Sequence, residues 1–329
     1  PIGGGDGAAD TVTVNGTQVA DMFGASGDTN GISVFGLHTA VNILFQEQAN
    51  DRLTLNAQGG DDVVNTTLLK ADGIQLTMNG GLGIDVLIGS EGGDLINGGD
   101  GNDTILAGAG NDTLVWNPGD DNDTFEGQTG TDTLQFNGAN VAENIDISAN
   151  GGRILFFRNV ANVVMDCNDV EIVRYEALGG ADVIVVNNLS GTDVTAVNLN
   201  LAAVGGAGDG QPDNVIVNGT TGDDVTTVAQ SGGVVTVAGL AATVNISGSE
   251  AANDRVTINT LAGADVVEAS GLPVGFIALT ADGGSGDDVL IGSGGNDVLL
   301  GGADDDVLIG GPGVDVLDGG TGDNIVIQD

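Results

Sequence analysis

The chain has 329 residues and a formal net charge of −41, from 47 acidic and 6 basic side chains. This charge makes nucleic acids and anionic membrane surfaces poor partners. Glycine occurs 59 times and proline only 5 times, which favours regular tight turns over a disordered chain. No apolar run is long enough for a membrane span. The single cysteine, Cys167, excludes an internal disulfide framework, and we expect it to be buried.

Residues 1–79 carry short alternating segments that predict β-strands, at 11–14, 51–55, 62–64 and 74–78. Each is followed by Asn-Gly, Gly-Gly or a similar turn. No helical period occurs anywhere in the chain. The chain opens with proline and no signal peptide, so we expect a processed form or a piece of a longer protein. Residues 1–79 are therefore predicted to be degenerate rungs of a β-solenoid.

Residues 80–135 hold six near-copies of the nonapeptide Gly-Gly-x-Gly-x-Asp-x-(Leu/Ile/Val)-x. The dipeptide Trp116-Asn117 breaks the nine-residue phase once. The last three residues of each copy predict a short strand whose eighth position points inward. These inward residues should stack into a narrow core; they are Leu87, Ile96, Ile105, Leu114, Leu290, Leu299, Leu308 and Leu317.

Residues 136–204 are the least regular part and resemble a loose third copy of the surrounding sequence. Strands are predicted at 154–157 and 160–165. Residues 10–115 recur without gaps at 213–318, an offset of 203 positions. Residues 205–282 are therefore a copy of residues 2–79, and residues 283–329 form a second block with five further nonapeptides.

The nonapeptide suits a calcium ion. Glycines permit positive φ and close backbone approach, which lets carbonyls converge, and the aspartate adds a charged oxygen. An all-oxygen set favours Ca²⁺ over Zn²⁺ or Mg²⁺. The alternative is turn chemistry alone, because aspartate favours tight turns without any metal. Aspartates stacked in register would repel, however, so we favour calcium.

Both blocks resemble the RTX family, also called hemolysin-type calcium-binding repeats. The resemblance implies an all-β, right-handed parallel β-solenoid (a β-roll) with two nonapeptides in each coil and calcium ions stacked in the GGxGxD turns. It also implies carboxylate ligands at Asp85, Asp94, Asp103, Asp112, Asp123, Asp132, Asp288, Asp297, Asp306 and Asp315. The turn glycines implied as carbonyl ligands are Gly81, Gly83, Gly99, Gly101, Gly284, Gly286, Gly302 and Gly311. Where Asn324, Pro118 and Trp116-Asn117 depart from the pattern, we expect weaker or absent ions.

Catalytic motifs are absent from the sequence. Lys70 is the only lysine and His38 the only histidine, which excludes a P-loop lysine motif and a HExxH zinc site; we expect His38 on the surface. A polysaccharide lyase or epimerase could use the cluster Arg153, Arg158, Asp166, Asp169, Arg174 and Tyr175. The alternative, which we favour, is that these are ordinary solenoid surface residues and that the chain is not an enzyme.

Two other functions fit the sequence. The first is an extracellular calcium-dependent structural or adhesive protein, a matrix, surface-layer or filament subunit. It would associate with itself through the solenoid ends and could bind cell-surface polysaccharide. The second is a calcium-folding carrier or secretion module of a larger secreted enzyme or toxin. Both place the chain outside the cell or on its surface, and the resemblance suggests bacterial type I secretion.

Overall fold

The computed structural model describes residues 5–328, and their regular structure is almost entirely β. Residues before Val163 form fifteen strands, β1 to β15: Thr11–Asn15, Met22–Asp28, Gly31–Phe35, Val41–Ile43, Arg52–Gly59, Val63–Leu69, Gln75–Leu82, Val86–Ile88, Asp94–Asp100, Thr104–Leu106, Thr113–Trp116, Thr124–Glu126, Thr133–Asn137, Asn144–Asn150 and Arg153–Arg158. Later residues form β16 to β31: Val163–Asn168, Ile172–Leu178, Val183–Val186, Ala196–Ala203, Asn214–Asn218, Val225–Ser231, Val234–Ala238, Thr243–Ser247, Arg255–Asn259, Val266–Gly271, Ala278–Ser285, Val289–Ile291, Val298–Ala303, Val307–Ile309, Val316–Asp318 and Ile325–Ile327. Within residues 5–328 the one helical element is a short 3-10 turn, Val160–Asn162. No helix in this range could cross a membrane.

The chain forms two compact units. Unit 1 consists of Pro1–Asn137 and Val163–Val173, and unit 2 of Gly138–Asn162 and Arg174–Asp329. In unit 1 one sheet has the order β1-β5-β7-β9-β11-β13 and the other the order β16-β12-β10-β8-β6-β2-β3-β4. Over β5 to β13, consecutive strands alternate between the two sheets, and neighbours within a sheet are parallel. This is the parallel β-solenoid expected from the sequence, and the division of the sequence into five parts by repeat strength remains a prediction.

Unit 2 is built in the same way. One sheet has the order β19-β23-β22-β21-β25-β27-β29-β31, and the other runs β15-β14-β18-β20-β24-β26-β28-β30. Parallel pairs again join strands from successive coils, as in β20 with β24 and β24 with β26. Strand β17 crosses the boundary between the units.

Three antiparallel insertions depart from the uniform parallel solenoid that the sequence predicts. They are β2-β3-β4 in unit 1, and β14-β15 and β21-β22-β23 in unit 2. The turn between β21 and β22 contains Gly232 and Gly233, both at positive φ (61° and 90°). Two consecutive residues at positive φ are what a two-residue hairpin turn of type I′ requires. Because the nonapeptide turns also contain Gly-Gly, the sequence did not distinguish a hairpin from a solenoid turn.

The inward stack of apolar side chains is confirmed. Leu87 pairs in register with Ile105, and Leu290 with Leu308, an offset of two nonapeptides per coil. Seven of the eight predicted core residues are fully buried, and Leu317 is half-buried in the last coil. Burying one such side chain contributes roughly 1.5–3 kcal/mol.

The two-residue insertion at Trp116-Asn117 is absorbed without breaking the stack. Strand β11 pairs with β13, and β10 with β12, at an offset of 20 residues instead of 18. The Trp116 ring stacks on Phe136 with centroids 4.0 Å apart, and its Nε1 donates to the Asp121 carbonyl oxygen at 2.9 Å. The longer coil therefore keeps its register and buries a stacked pair of aromatic rings.

Candidate metal sites in the carboxylate ladders

The sixth-position aspartates join neighbouring coils through hydrogen bonds. The backbone N–H of Asp85 donates to Asp103 Oδ1 at 2.8 Å, and the N–H of Asp103 donates to Asp123 Oδ1 at 2.9 Å. Each aspartate therefore accepts a hydrogen bond from the coil before it and donates one to the coil after it. We call such a series a carboxylate ladder.

Four ladders run along the turns, with donor–acceptor distances between 2.6 and 3.0 Å. In unit 1, ladder I is Asp21, Asp62, Asp85, Asp103 and Asp123, and ladder II is Asp94, Asp112, Asp132 and Glu171. In unit 2, ladder III is Glu143, Asp182, Asp213 and Asp254, and ladder IV is Asp224, Asp265, Asp288, Asp306 and Asn324. Two further pairs are Asp10–Asp51 and Asp297–Asp315.

In many of these turns the second carboxylate oxygen, Oδ2, is buried and has no hydrogen-bond partner. We call these open turns; their aspartates are Asp62, Asp85, Asp103, Asp112, Asp132, Asp182, Asp265, Asp288 and Asp306. At Asp85 the Oδ2 faces the first glycine of its own repeat. A Cβ on Gly80 would lie 2.3 Å from both Asp85 Oδ2 and Gly98 O, so two oxygen acceptors border the same small space. A buried carboxylate oxygen without a donor is costly unless a cation compensates it.

The backbone at position two distinguishes the open turns. In all nine, the residue four places before the aspartate has positive φ. Five of these residues are glycines, and the other four hold φ of 82° (Gln58), 72° (Gln128), 62° (Leu178) and 73° (Leu261). Such a conformation costs a non-glycine residue on the order of 1–3 kcal/mol, and strain of this kind concentrates at functional sites. In the turn of Asp265 the first glycine is replaced by Thr260.

In other turns, which we call closed, the Oδ2 atom accepts a hydrogen bond from a backbone N–H. The N–H of Ser90 donates to Asp94 Oδ2 at 2.6 Å, and its hydroxyl donates to Asp94 Oδ1 at 2.8 Å. Ser293 binds Asp297 in the same way. Four further turns are closed by the N–H at position two, and their donor–acceptor pairs are Thr17–Asp21, Glu47–Asp51, Thr220–Asp224 and Glu250–Asp254.

Burial dominates the electrostatics of the ladders. It raises the pKa of Asp103 to about 7 and of Asp112 to about 8, against the lowering effect of the backbone N–H each one accepts. The charges of neighbouring ladder aspartates raise both pKa values further. The pKa of Asp182 is raised to about 8 for the same reasons. At neutral pH the ladders therefore need positive charge to keep these carboxylates ionised.

The donor chemistry fits calcium. Each open turn offers a buried carboxylate oxygen. At Asp85, Asp132, Asp288 and Asp306 a main-chain carbonyl oxygen borders the same space, which gives the hard oxygen set that Ca²⁺ prefers. Within residues 5–328 no three carboxylate, imidazole or thiol side chains converge. A bound ion in these turns would therefore take much of its coordination from main-chain oxygens. When bound, calcium would supply the positive charge that the Oδ2 atoms lack.

The ten aspartates predicted as ligands are all in ladder bonds, but in different kinds of turn. Six of them are in open turns, and Asp94 and Asp297 are in closed turns. The other two belong to neither kind. Asp123 is buried, and the half-buried Asp315 accepts a hydrogen bond from Gln328 Nε2 at 2.7 Å. The eight predicted glycines all have positive φ. The ladder hydrogen bonds continue across the coils that contain the Trp116-Asn117 insertion. Asn324 also takes part, since its Oδ1 accepts the N–H of Asp306. Which of these turns hold ions remains a prediction.

Several ladder residues lie outside the nonapeptide blocks and were not predicted from the sequence. They are Asp21, Asp62, Glu143, Glu171, Asp182, Asp213, Asp224, Asp254 and Asp265. Their shared signal is an acidic residue immediately before a β-strand. Asp62 and Asp182 lie in open turns, although Ala57 and Ala177 replace the first glycine. The nonapeptide pattern was therefore too strict, since Ala107 holds the same position before Asp112 within the first block.

The sequence led us to expect the residues considered for polysaccharide chemistry on the solenoid surface, and for two of them this is wrong. Tyr175 and Arg158 are buried. The Arg158 guanidinium pairs with Glu143 Oε1, and the Tyr175 hydroxyl donates to Glu143 Oε2 at 2.7 Å. Burial, together with the charges of Asp182 and Glu143, raises the pKa of Tyr175. In ladder III an arginine of the chain thus supplies the positive charge at the first carboxylate. His38 is exposed and Cys167 is buried, as predicted.

The family comparison agrees with this geometry. The RTX calcium-binding nonapeptide repeat matches the chain four times, at residues 79–114, 119–135, 282–317 and 291–326. No curated protein matches the chain. The chain therefore carries RTX repeats, which bind calcium, and it is a calcium-dependent repeat protein with a parallel β-roll fold.

Proposed function

We propose that this chain is an extracellular structural protein, a matrix, surface-layer or filament subunit, that folds when it binds calcium and then associates end to end. The main support for calcium-dependent folding is the series of buried, unpartnered Oδ2 atoms in the open turns. Without a cation, each of these oxygens destabilises the coil that contains it. With one, the binding free energy of the ion becomes folding free energy.

The proposed location follows from the expected affinity. Calcium modules that work outside cells bind with dissociation constants of about 10⁻⁴ to 10⁻³ M. Such sites stay empty at cytosolic calcium levels and fill after export. RTX repeats are typical of proteins exported by type I secretion, which supports a secreted or surface location.

A calcium titration tests the folding proposal. Circular dichroism of the chain in chelator should report loss of β-structure, and millimolar calcium should restore it. Magnesium at the same concentration is the control, because it requires near-ideal octahedral geometry. A chain that is equally folded and equally stable in chelator would contradict the proposal.

The second candidate is a carrier or secretion module of a larger secreted enzyme or toxin. The same folding switch favours it, since a chain that is unfolded at low calcium can be exported and fold outside. Sequencing the complete coding region separates the two. A catalytic or toxin domain in the same polypeptide would favour the carrier, and further solenoid copies would favour the structural protein.

We propose that the chain is not an enzyme, and that a cell-surface polysaccharide is a further partner. Burial of Tyr175 and Arg158 supports the first point. Rows of outward amides support the second, because such groups can bind sugar hydroxyls; in one row Asn245 Nδ2 donates to Asn198 Oδ1 at 3.0 Å. Assays of lyase and epimerase activity on uronic-acid polymers, with Tyr175→Phe as control, test the first, and a glycan array in calcium tests the second.

A further inference from the structure

Unit 2 has a small polar cleft on the outer face of one of its sheets. The cleft has a volume of about 210 Å³ and lies over four strands that are neighbours in the sheet, in the order β17-β19-β23-β22. All of its lining residues belong to unit 2. The polar side chains that line it are Arg174, Glu176, Asn198, Asn200, Asn245 and Ser247.

A first row of side chains across these strands is held by hydrogen bonds. Thr236 Oγ1 donates to Asn245 Oδ1 at 3.0 Å, and Asn245 Nδ2 donates to Asn198 Oδ1 at 3.0 Å. The register of β19 on β23 places Asn198 opposite Asn245. Asn198 Nδ2 is the last donor of this row and has no acceptor among residues 5–328. The row therefore presents to the cleft an amide donor whose orientation its neighbours set.

A second row, two residues further along the same strands, presents an acceptor. Asn200 Nδ2 donates to Glu176 Oε2 at 2.6 Å, and Asn200 lies opposite Ser247 in the register of β19 on β23. Within the described part of the chain, the other carboxylate oxygen, Glu176 Oε1, accepts no hydrogen bond. The Glu176 carboxylate is thus held through one oxygen and keeps the other for a ligand.

These groups suit a ligand that carries hydroxyls. A hydroxyl both donates and accepts a hydrogen bond, and the cleft offers a donor at Asn198 and an acceptor at Glu176. The guanidinium of Arg174 adds further N–H donors to the lining. Val234 adds an apolar side chain, which suits the C–H face of a sugar ring. Because the side chains already hold one another, a ligand would have to order few of them on binding.

Other classes of ligand fit the cleft less well. An anionic ligand would meet the net charge of −41 as well as Glu176. A peptide strand needs a free sheet edge, whereas β19, β23 and β22 each have a neighbouring strand on both sides. The cleft is also smaller than the roughly 300–1,000 Å³ of sites for drug-sized ligands, which limits it to a single ring.

We propose that this cleft binds one ring of a neutral polysaccharide, with Asn198 donating to a sugar hydroxyl and Glu176 accepting from one. The inference rests on the proposed function, in which a polysaccharide is a further partner. It adds the place of binding and the class of sugar. The site lies on strands in the interior of the sheet, so its shape is set by the register of β19, β23 and β22.

Affinity electrophoresis tests the site. The chain is run on native gels in millimolar calcium that contain dextran, galactan or mannan, and at least one of these neutral polymers should retard it. Asn198→Asp should weaken this binding about tenfold or more, because it removes the amide donor and keeps the oxygen that accepts from Asn245. Glu176→Gln should weaken it as well, because its amide oxygen can still accept from Asn200 while an N–H replaces the free acceptor.

Asn56→Asp is the matched control. Asn56 is an outward asparagine of unit 1 that does not line the cleft. Its Oδ1 accepts from Asn79 Nδ2 at 2.8 Å, as that of Asn198 does from Asn245. The substitution therefore makes the same change of charge in a similar row and should leave the binding of the polymer unchanged. Thermal melts in calcium show whether each variant is folded.

The outcomes separate the site from the proposed function. A wild-type chain that folds in calcium and is retarded by none of the neutral polymers would overturn the site and leave calcium-dependent folding intact. Retardation by hyaluronan, an acidic polymer, and by none of the neutral ones would overturn the class of sugar. Equal binding by the wild type and both folded cleft variants would overturn the role of this cleft. Failure of the wild-type chain to fold in calcium would instead overturn the proposed function.

Discussion

At the scale of single residues, Gly101, the fourth residue of its nonapeptide, is tightly constrained by the neighbouring coil. Gly101 has φ of 139°, and a Cβ there would lie 1.8 Å from Gly83 O in the neighbouring coil. The fourth position is not glycine in every repeat, since Asp304 holds it before Asp306 with φ of 83°. Close approach of two backbones, together with positive φ, is therefore what requires glycine at Gly101.

Gly101→Ala should destabilise the calcium-bound chain by about 2 kcal/mol or more, because strained φ and a backbone clash each cost on the order of 1–3 kcal/mol. Urea unfolding at saturating calcium measures the change. Gly222→Ala is the matched control, because its Cβ would meet nothing closer than Thr220 Oγ1 at 3.9 Å. Equal effects of the two substitutions would show that inter-coil contact does not set the requirement.

The open and closed turns predict different effects for the same substitution. Asp103→Asn should remove the charge of an open turn and lower the number of bound calcium ions, measured by isothermal titration. Asp94→Asn should keep that number, because Ser90 already binds both oxygens of Asp94. It should instead cost about 1 kcal/mol through weaker hydrogen bonds. If both variants lose the same number of ions, the distinction between the turns has no bearing on calcium.

At the scale of strands and turns, the sequence predicted the regular coils well. The period of nine fixes a strand every half coil, and the register of Leu87 on Ile105 follows directly from it. The hairpins could not be predicted, because Gly232-Gly233 has the same letters as a nonapeptide turn. The partner of Glu143 could not be predicted either, since the pairing with Arg158 depends on which face of β15 points inward. Local patterns thus determined the repeats, and tertiary contacts determined the exceptions.

The buried Glu143–Arg158 pair predicts a part of unit 2 whose stability does not depend on calcium. Arg158→Met should destabilise the chain by roughly 3–5 kcal/mol, because it leaves a buried carboxylate without its cation. The loss should be similar in low and in saturating calcium, measured by hydrogen exchange of β14 and β15. Adding Glu143→Gln to Arg158→Met should restore part of the stability. A loss that calcium reverses would mean that an ion can replace the guanidinium.

At the scale of the whole molecule, the net charge of −41 and the burial of the ladders act together. Surface carboxylates repel one another through water, where salt screens them. Ladder carboxylates are shielded from water, so salt screens them far less. Calcium is therefore needed at specific places rather than as a general counter-ion.

Acid should stabilise the calcium-free chain. Burial raises the pKa of several ladder aspartates in the fold, to about 6 at Asp85 and about 8 at Asp112, against about 3.9 in an unfolded chain. Between about pH 4 and pH 8 the folded state thus binds more protons, and the free energy of unfolding falls as pH rises. Thermal melts in chelator should give a higher Tm at pH 5 than at pH 8. A higher Tm at pH 8 would contradict this sign.

The ladder bond joins coils of very different length. The two residues it connects are 18 apart at Asp85, 20 at Asp103, 23 at Asp62, 31 at Asp182 and 41 at Asp213. The ladder hydrogen bond thus fixes one turn of each coil, and the other part of the coil can be longer, as at the β2-β3-β4 insertion. New loops or hairpins can therefore be inserted into single coils without disturbing the neighbouring coils. The outer surface of this solenoid can thus vary while the ladder turns stay the same.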